Sequence, residues 1–305
     1  MSWLPPQEGA RAARDPALVW DPRVLERVRH LHLRARQAVA GLHHGGHRSL
    51  RLGHDVEFAD YKPYDPGDAL RDLDWRVLAR TDRLVVRRYR AEQELVATLV
   101  LDASADLAST PEKWEQAVAL AATLAYYLFL GGEPVGLVIG GGEGVSARWL
   151  PARSGRRHLA LLFRVLAAVR PAGRAGLGPL FREVGARLGT RTLVAVVSDF
   201  MEEPSEWTTA LSALVRSRVD LRAFHLYDRR ELALDYDAPL RLRSPETGEE
   251  LPVDPDGARV AFGEVVRDYF HEVGDAVRRR RGRHYTVEAQ ADMTGALVRF
   301  IEGRA

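Results

Sequence analysis

Strand-like and helix-like segments alternate along the chain from Leu95 onward, and this alternation restricts the fold more than any other feature of the sequence. The segment Leu95–Leu101 (LVATLVL) is apolar throughout, which is typical of a central strand in a parallel sheet. It is followed by Glu112–Leu130, whose apolar residues run nearly all round a helix. Strand–helix–strand crossovers are right-handed almost without exception, so an open sheet with helices on both faces accommodates the repeated pattern. We therefore predict an α/β fold with a doubly wound, mostly parallel sheet.

Further elements of this sheet are indicated by periodicity and by turn residues. Pro134–Ile139 and Val145–Leu150 flank a glycine-rich turn, which predicts a hairpin. A mixture of proline, glycine and charged residues between residues 227 and 256 predicts a peripheral β-excursion. The other predicted strands are Arg191–Val197, Asp220–Leu226 and Tyr285–Glu288, and the other predicted helices are His158–Val169, Leu180–Leu188, Glu206–Arg216, Val265–Arg280 and Met293–Ile301.

The first 90 residues have a different organisation. Asp21-Pro22, followed by apolar residues at helical spacing, predicts a helix that ends near Gly41. A Gly- and His-rich piece follows it, and then a segment dense in motif residues, Arg48–Arg90. We predict two parts: an N-terminal helix and strap over residues 1–90, and a sheet domain over residues 91–305.

Composition excludes several classes of protein. Cysteine is absent, which removes disulfide scaffolds, thiolate zinc sites and cysteine nucleophiles. The formal net charge of +2 is too balanced for a surface that wraps nucleic acid. The longest apolar stretch, Ala117–Leu130, is shorter than the about 20 residues that a membrane span needs, and the first residues lack the apolar core of a signal peptide. We expect a cytoplasmic protein that neither inserts into a membrane nor binds nucleic acid.

Two of the predicted strands end in residues that can ligate a metal ion. In sheets of this kind, ligands bind beyond the carboxyl ends of the strands. The residues after the first and fourth strands that carry hard oxygen atoms are Asp102, Ser104, Asp106 and Asp199. Such oxygens suit Mg²⁺, with Mn²⁺ and Ca²⁺ as alternatives. A second interpretation stays open, in which Asp102 and Ser104 merely cap the loop and helix that follow them.

This arrangement resembles the metal-ion-dependent adhesion site of von Willebrand factor A domains, which carries a DxSxS loop after the first strand and an Asp after the fourth. Asp102, Ser104 and Asp199 match that pattern, while Asp106 stands in place of the second serine. Three carboxylates neutralise a bound cation, so an acidic partner side chain would gain less by completing its coordination. Ser154 is the candidate for the threonine that such sites take from a further loop. The resemblance implies a degenerate docking site, with or without a metal ion.

A second resemblance covers most of the chain, from about Gly46 to the C-terminus. The residues that resemble the signature of the domain of unknown function 58 family include Gly46-His47-Arg48-Ser49, Gly53-His54-Asp55-Val56-Glu57-Phe58, Tyr64-Asp65-Pro66-Gly67-Asp68, Arg71, Asp74-Trp75 and Ala79-Arg80. Within them we predict a turn at Pro66-Gly67 and a helix from Ala69 to Arg80 that Asp68 caps. Two interpretations remain for this segment: a salt-bridged strap against the sheet domain, or a recognition surface for another protein. The residues of that surface would be Asp68, Arg71, Asp74, Trp75 and Arg80.

The second resemblance also implies a function. Members of the family are commonly associated with MoxR-type AAA+ ATPases, so we expect a non-enzymatic adaptor that brings client proteins to such an ATPase for assembly, maturation or metal insertion. The sequence has no Walker motif and no GxSxG elbow, which disfavours ATP hydrolysis and serine-hydrolase chemistry by the chain itself. The enzymatic alternative is a metal-dependent phosphohydrolase built on Asp102, Asp106 and Asp199. It lacks an evident general acid or positioning lysine among the motif residues.

Overall fold

The structure is a computed structural model and describes residues 22–44, 58–66, 73–89, 95–142, 147–189, 192–215, 219–233, 238–243 and 248–303. The strands are β1 (Phe58–Pro63), β2 (Val85–Tyr89), β3 (Val96–Ala103), β4 (Val135–Gly141), β5 (Arg148–Arg153), β6 (Thr192–Ser198), β7 (Asp220–Tyr227), β8 (Leu240–Arg243), β9 (Glu250–Val253) and β10 (Arg283–Glu288). The α-helices are α1 (Pro22–His44), α2 (Trp75–Thr81), α3 (Pro111–Leu130), α4 (Arg156–Ala168), α5 (Leu177–Arg187), α6 (Pro204–Val215), α7 (Arg229–Ala233), α8 (Pro255–Arg278) and α9 (Thr294–Glu302).

The predicted doubly wound sheet is confirmed. Its six strands lie in the order β10-β7-β6-β3-β4-β5, and all neighbours are parallel except β5, which pairs antiparallel with β4 as the predicted hairpin requires. From β3 the chain builds β4 and β5 on one side, and it then returns to add β6, β7 and β10 on the other. The winding direction therefore reverses between β3 and β6, which is the place where open α/β sheets form a binding crevice.

Alternate residues of the central strands point into two apolar cores, one on each face of the sheet. Leu99 and Leu101 of β3 lie in a core with α1, α3, α4 and α9, whereas Val100 lies in a second core with α5, α6 and α8. Helix α3 is buried on most of its circumference, as its apolar pattern predicted. Among the helices of the described part of the chain, none combines the length and apolar character needed to cross a lipid bilayer.

Helices α5 and α6 pack almost backbone to backbone at two glycines of α5. A Cβ atom at Gly178 would lie 2.4 Å from the carbonyl oxygen of Glu206, and one at Gly185 would lie 2.8 Å from the carbonyl oxygen of Ala213. Ordinary van der Waals contact needs roughly 3.5 Å, so only glycine allows this separation of the helices. Trp207, next to Glu206, is fully buried in the core that this close packing seals.

The chain divides into two compact units. The large unit comprises Met1–Ser49 and Leu95–Ala305, and the small unit comprises Leu50–Glu94. This division differs in one respect from the boundary predicted at residue 90, because α1 belongs with the sheet and not with the strap that follows it in the chain.

Packing of α1 explains that difference. Leu31 and Ala35, four residues apart on one face of α1, are buried in the same core as α3 and α4. Between them, the ring of His32 stands edge-on to Tyr126 of α3 and Phe163 of α4, with centroid separations of 5.6 and 5.8 Å. The apolar stripe that predicted this N-terminal helix is therefore the surface by which the helix packs on the sheet domain.

In its described residues, 58–66 and 73–89, the small unit contains a two-stranded antiparallel sheet and a short helix. β1 pairs antiparallel with β2, and Leu73 forms an isolated antiparallel bridge with Val86 of β2. Asp74 has an extended backbone, with φ −88° and ψ 93°. The predicted helix from Ala69 to Arg80 is therefore wrong in its extent, because the bridge and the extended residue lie within that range and α2 begins only at Trp75.

Helix α8 is also longer than predicted. It begins at Pro255, whereas the sequence predicted a start at Val265, and Asp254 caps it by accepting a hydrogen bond from the backbone N–H of Asp256 (3.3 Å). Val260 and Val265 are 76% and 64% exposed, so the apolar residues of the first half do not mark a buried face. Strands β8 and β9, an antiparallel pair just before α8, confirm the peripheral β-excursion.

Candidate functional site

The candidate site lies at the carboxyl ends of β3 and β6, where the winding of the sheet reverses. Leu101 of β3 pairs with Val197 of β6, so Asp102 and Ser198 leave the two strands side by side. The hydroxyl of Ser198 donates to Asp102 Oδ2 at 2.6 Å. The pairing of β3 with β6 therefore brings these two strand ends side by side, as the sequence predicted.

Asp102 is buried, and each of its carboxylate oxygens accepts a hydrogen bond from a protein group. Besides the Ser198 hydroxyl on Oδ2, the backbone N–H of Ser104 donates to Oδ1 at 2.8 Å. Burial, with the nearby charge of Asp199, raises the pKa of Asp102 to about 7. Ser104 Oγ in turn accepts from the backbone N–H of Leu107 at 3.3 Å and so supports the 3₁₀ turn that follows. These hydrogen bonds fit the interpretation in which Asp102 and Ser104 cap the loop, whereas the helix that follows it, α3, is capped by Thr110.

A buried lysine lies among the carboxylates. Lys113, in the first turn of α3, points its Nζ at Asp199 Oδ2 (2.7 Å), at both carboxylate oxygens of Glu231 (3.0 and 3.1 Å) and at the backbone carbonyl of Asp106 (3.3 Å). Its side chain is only 1% exposed. Burial alone lowers the pKa of Lys113, but the charges of Asp199 and Glu231 outweigh burial and raise the pKa above its ordinary value. The lysine therefore carries a positive charge inside the site.

Asp106 and Asp199 are arranged unequally around this lysine. Asp199 is buried, and its Oδ1 accepts from the backbone N–H of Met201 at 3.2 Å while Oδ2 pairs with Lys113. Asp106 contributes its backbone carbonyl to Lys113. Burial and the charge of Asp199 raise the pKa of Asp106, which Lys113 partly opposes. Asp106 stands where the DxSxS loop has its second serine, and it thus adds a carboxyl group whose raised pKa makes it harder to ionise.

The segment after β7 closes one side of the site. Glu231 of α7 accepts from Lys113 and from the hydroxyl of Ser109, and one of its oxygens accepts from the backbone N–H of Asp228 at 3.3 Å. Asp228 is fully buried and accepts from the hydroxyl of Thr110 at 2.9 Å. A side-chain hydrogen bond from Arg230 holds the pKa of Asp228 well below its usual range. These contacts fix α7 to the loop that precedes α3.

Lys113, Glu231 and Ser198 are functional-site residues that sequence reasoning missed. One signal was available for the lysine: it is one of two lysines in a chain with 44 Lys and Arg residues, and it lies in a segment predicted to be a deeply buried helix. The sequence also indicated no positioning lysine near the carboxylates; the structure corrects this point, because Lys113 lies there. No comparable signal marks Glu231, which sits in a five-residue helix.

Ser154 does not belong to this site. It follows β5, and because β5 is antiparallel to β4, Arg153 at the end of β5 pairs with Val135 at the beginning of β4. Asp102 instead pairs with Gly140 near the end of β4. Ser154 therefore lies toward the opposite end of the sheet, and the prediction that it completes a metal site is wrong.

The geometry does not fit a divalent cation. Both oxygens of Asp102 accept hydrogen bonds from protein donors, and both oxygens of Asp199 are likewise engaged. The Lys113 ammonium already pairs with Asp199 at 2.7 Å, and it would repel a second cation brought to that carboxylate. Within the described ranges, no three His, Cys, Asp or Glu residues are grouped so as to hold a metal ion.

The residues predicted to bind a partner lie in the small unit. Asp74 is buried and serves as the N-cap of α2, accepting from the backbone N–H groups of Arg76 (2.9 Å) and Val77 (3.2 Å) and from the hydroxyl of Tyr61 (3.1 Å). Its carboxylate therefore stabilises the local fold. Trp75, the first residue of the helix, is 63% exposed. Of the other residues predicted to bind a partner, Arg80 lies in the final turn of α2. Asp68 and Arg71 lie outside the described residues.

Solved structures similar to this chain have low sequence identity and TM-scores below 0.5. An aerotolerance-related membrane protein from Bacteroides fragilis has a TM-score of 0.45 and 14% identity, covering 69% of this chain and 98% of that chain. BatB from Bacteroides thetaiotaomicron has a TM-score of 0.44 and 13% identity, covering 68% and 98%. The VWA domain of SpRpn10 has a TM-score of 0.36 and 11% identity, covering 68% and 95%.

Sequence relatives extend over nearly the whole chain. The uncharacterized proteins Rv1480 of Mycobacterium tuberculosis and Mb1516 of Mycobacterium bovis are each 30% identical over 292 residues, which are 93% of this chain and 90% of the relative. The family described as "Protein of unknown function DUF58" matches residues 60–272, which include the small unit's helix and most of the sheet. The chain therefore belongs to the DUF58 family, as its motif residues predicted.

Proposed function

We propose that this protein is a non-enzymatic, cytoplasmic adaptor that binds a MoxR-type AAA+ ATPase and presents client proteins to it for assembly, maturation or metal insertion. Membership of the DUF58 family supports the choice of partner, because proteins of this family are commonly associated with such ATPases. The fold supports the adaptor role only in general terms, since one fold can carry many functions.

The observation that carries the proposal is the filled crevice between β3 and β6. Enzymes built on open α/β sheets bind their substrates at this position. Here the position is taken by the ion pair of Lys113 with Asp199, whose side chains are 1% and 4% exposed. Next to it, the loop after β6 presents Met201 to solvent, 57% exposed. A closed interior with an apolar residue at its edge suits docking of a protein surface better than entry of a small substrate.

The phosphohydrolase alternative finds less support in this geometry. A metal-dependent phosphohydrolase needs carboxylates that are available to ligate a metal, and it needs a route for the phosphate to reach that metal. Asp102 and Asp199 are engaged by protein donors. Lys113 adds a positive charge, but its burial and its contacts with carboxylates leave it no donor to offer a substrate phosphate.

The adaptor role can be tested by co-purification of the full chain with the MoxR-type ATPase of the same genome. Trp75→Ala and Met201→Ala each remove an exposed side chain from one of the two candidate docking surfaces. We expect at least one of them to weaken the complex about tenfold or more, which corresponds to roughly 1.4 kcal/mol of binding free energy. The matched control is Leu130→Ala, which removes a similarly exposed apolar side chain at the far end of α3.

Two results would contradict the proposal. One is the absence of any complex with the ATPase under conditions in which both proteins are folded. The other is hydrolysis of phosphate esters by the purified chain that requires a divalent metal and is abolished by Asp102→Asn. Equal weakening by Leu130→Ala would show that the loss is not specific to the two surfaces.

A further inference from the structure

The positive charge of the strand-end site comes from the chain itself. A site of the kind expected from the sequence would use a divalent ion to neutralise the carboxylates at the ends of β3 and β6. In the structure, the ammonium group of Lys113 pairs with a carboxylate after β6, 2.7 Å from Asp199, and with one after β7, 3.0 Å from Glu231. Asp102, at the end of β3, accepts hydrogen bonds from Ser198 and Ser104 instead. We infer that Lys113 is the resident cation of this site and that the site is held together without a metal ion.

The hydrogen-bonding capacity of the ammonium group is matched by its surroundings. A protonated lysine has three N–H donors. Lys113 has three acceptor groups around it: Asp199 Oδ2, the Glu231 carboxylate and the backbone carbonyl of Asp106. Their distances of 2.7 to 3.3 Å are those of hydrogen bonds, whereas oxygen ligands lie about 2.0–2.6 Å from Mg²⁺ or Ca²⁺. The acceptors are therefore spaced for an ammonium group rather than for a divalent ion.

The position of Lys113 in α3 is explained by the site and not by the helix. Thr110 caps α3, and Lys113 lies in its first turn, where the helix dipole disfavours a positive charge. Burial of an ammonium group is also costly unless the charge is paired and hydrogen-bonded. Asp199 and Glu231 offset both effects. A lysine without such partners ordinarily extends its ammonium group into solvent.

The buried carboxylate at the end of β3, Asp102, has protein donors of its own. The hydroxyl of Ser198 and the backbone N–H of Ser104 use the two oxygens of Asp102. Among the described residues, the single buried side-chain nitrogen or oxygen without a partner is Nε of Arg222, which lies at the other end of β7. Among the described residues of the site, no buried side-chain nitrogen or oxygen therefore lacks a hydrogen-bond partner that a metal ion could replace.

Removal of the lysine should convert the site into one that responds to metal. Lys113→Ala removes the positive charge and opens space among Asp199, Glu231 and the Asp106 carbonyl, so hard oxygens are left for a cation. We expect this variant to be destabilised and to regain melting temperature as Mg²⁺, Mn²⁺ or Ca²⁺ is added. The wild type should show no change in melting temperature with these ions or with EDTA, and no heat on titration with Mn²⁺.

The control is Gln116→Ala, one turn further along α3. Gln116 is also buried and polar, and its amide donates to the carbonyl of Ala291 at 2.9 Å. Its replacement should destabilise the protein without any metal response. Lys113→Met provides a second control, because it removes the charge but fills the space, and it should be destabilised without regaining stability from metal.

Wild-type measurements alone can overturn the inference, even if Lys113→Ala does not fold. Metal binding by the wild type that Asp199→Asn abolishes would show that a divalent ion, and not Lys113, is the cation of the site. A folded Lys113→Ala variant without any response to the three ions would also overturn it. Neither result depends on whether the protein binds an ATPase, so the outcome is separate from that of the co-purification test.

Discussion

The close packing of α5 against α6 predicts that a Gly→Ala substitution in α5 lowers the free energy of unfolding, because no space is left for a methyl group. Gly178→Ala places a Cβ atom 2.4 Å from the carbonyl oxygen of Glu206, about 1 Å inside ordinary contact. The clash is with backbone, which cannot rotate away, so α5 and α6 must move apart. Insertion of a methyl group into a well-packed interior costs about 1–3 kcal/mol. Alanine recovers no more than about 0.5–1 kcal/mol over glycine in a helix, so a net loss is expected.

Gly263→Ala is the matched control. Gly263 lies in the middle of α8, and a Cβ atom there would meet nothing within 4 Å. The same chemical change should therefore stabilise the protein by about 0.5–1 kcal/mol, because only the helix preference of alanine remains. One substitution type is thus expected to act in opposite directions at the two glycines.

Urea denaturation followed by far-ultraviolet circular dichroism measures both free energies of unfolding. For a domain of this size, each 1 kcal/mol should correspond to a shift in melting temperature of about 2–4 °C. If Gly178→Ala were as stable as the wild type while Gly263→Ala behaved as expected, the helices would have to be farther apart than described. The argument from backbone contact would then be refuted.

Three further predictions concern the core and the response to pH. Trp207→Ala should lower the free energy of unfolding by about 3–5 kcal/mol in urea denaturation, because this fully buried ring would leave a cavity. Burial and the charge of Arg278 lower the pKa of His284 to about 4, so the folded state binds a proton more weakly than the unfolded chain. Stability should therefore be complete above about pH 6.5 and decline as the pH falls toward 4, and His284→Gln should flatten that decline in a series of pH-dependent melts. Asp102 gives the opposite slope. Its pKa of about 7 means that the folded state holds a proton that the unfolded chain loses near pH 4. Its contribution to the free energy of unfolding therefore falls as the pH rises from about 4 to 7, and Asp102→Asn should remove this part of the pH dependence. A steeper pH dependence in either variant would contradict the assignment.

The sheet was predictable from the sequence because its central strands are buried on both faces. Short, continuous apolar runs are typical of strands buried on both faces of a parallel sheet. Two such runs, Leu95–Leu101 and Arg191–Val197, correspond to β3 and β6. The first half of α8 was not predictable in the same way. Val260 and Val265 are exposed there, so this half has no continuous buried apolar face to predict it, and the Asp254-Pro255 pair was the available indication of its start.

The start of α2 depended on a long-range contact. Local sequence allows a helix from Ala69, but Leu73 bridges to Val86 on the neighbouring strand and draws the backbone into an extended conformation. The bridge to β2 thus overrides helix propensity at Leu73 and Asp74, and Asp74 becomes the cap. No pattern within the predicted helix itself carries that information.

The site was predictable where it depends on strand pairing and unpredictable where it depends on long side chains. Parallel strands bring their carboxyl ends together, so Asp102 and Asp199 were expected to be neighbours. The presence of Lys113 among them depends on how α3 lies over the sheet and on the path of a flexible side chain. Glu231 depends on the position of a five-residue helix at the end of a different strand. Neither arrangement follows from local periodicity.

The discontinuity of the large unit affects how shortened versions of this protein should be designed. A fragment that starts at residue 91 would contain every strand of the six-stranded sheet but would lose α1. The faces of α3 and α4 that Leu31 and Ala35 cover would then be in contact with water, and such a newly bared apolar patch favours aggregation. A proteolytic cut between Leu50 and Glu94 should be less harmful, because α1 would stay attached by its packing. Residue 44 joined to residue 95 by a flexible linker would keep α1 with its sheet and omit the small unit.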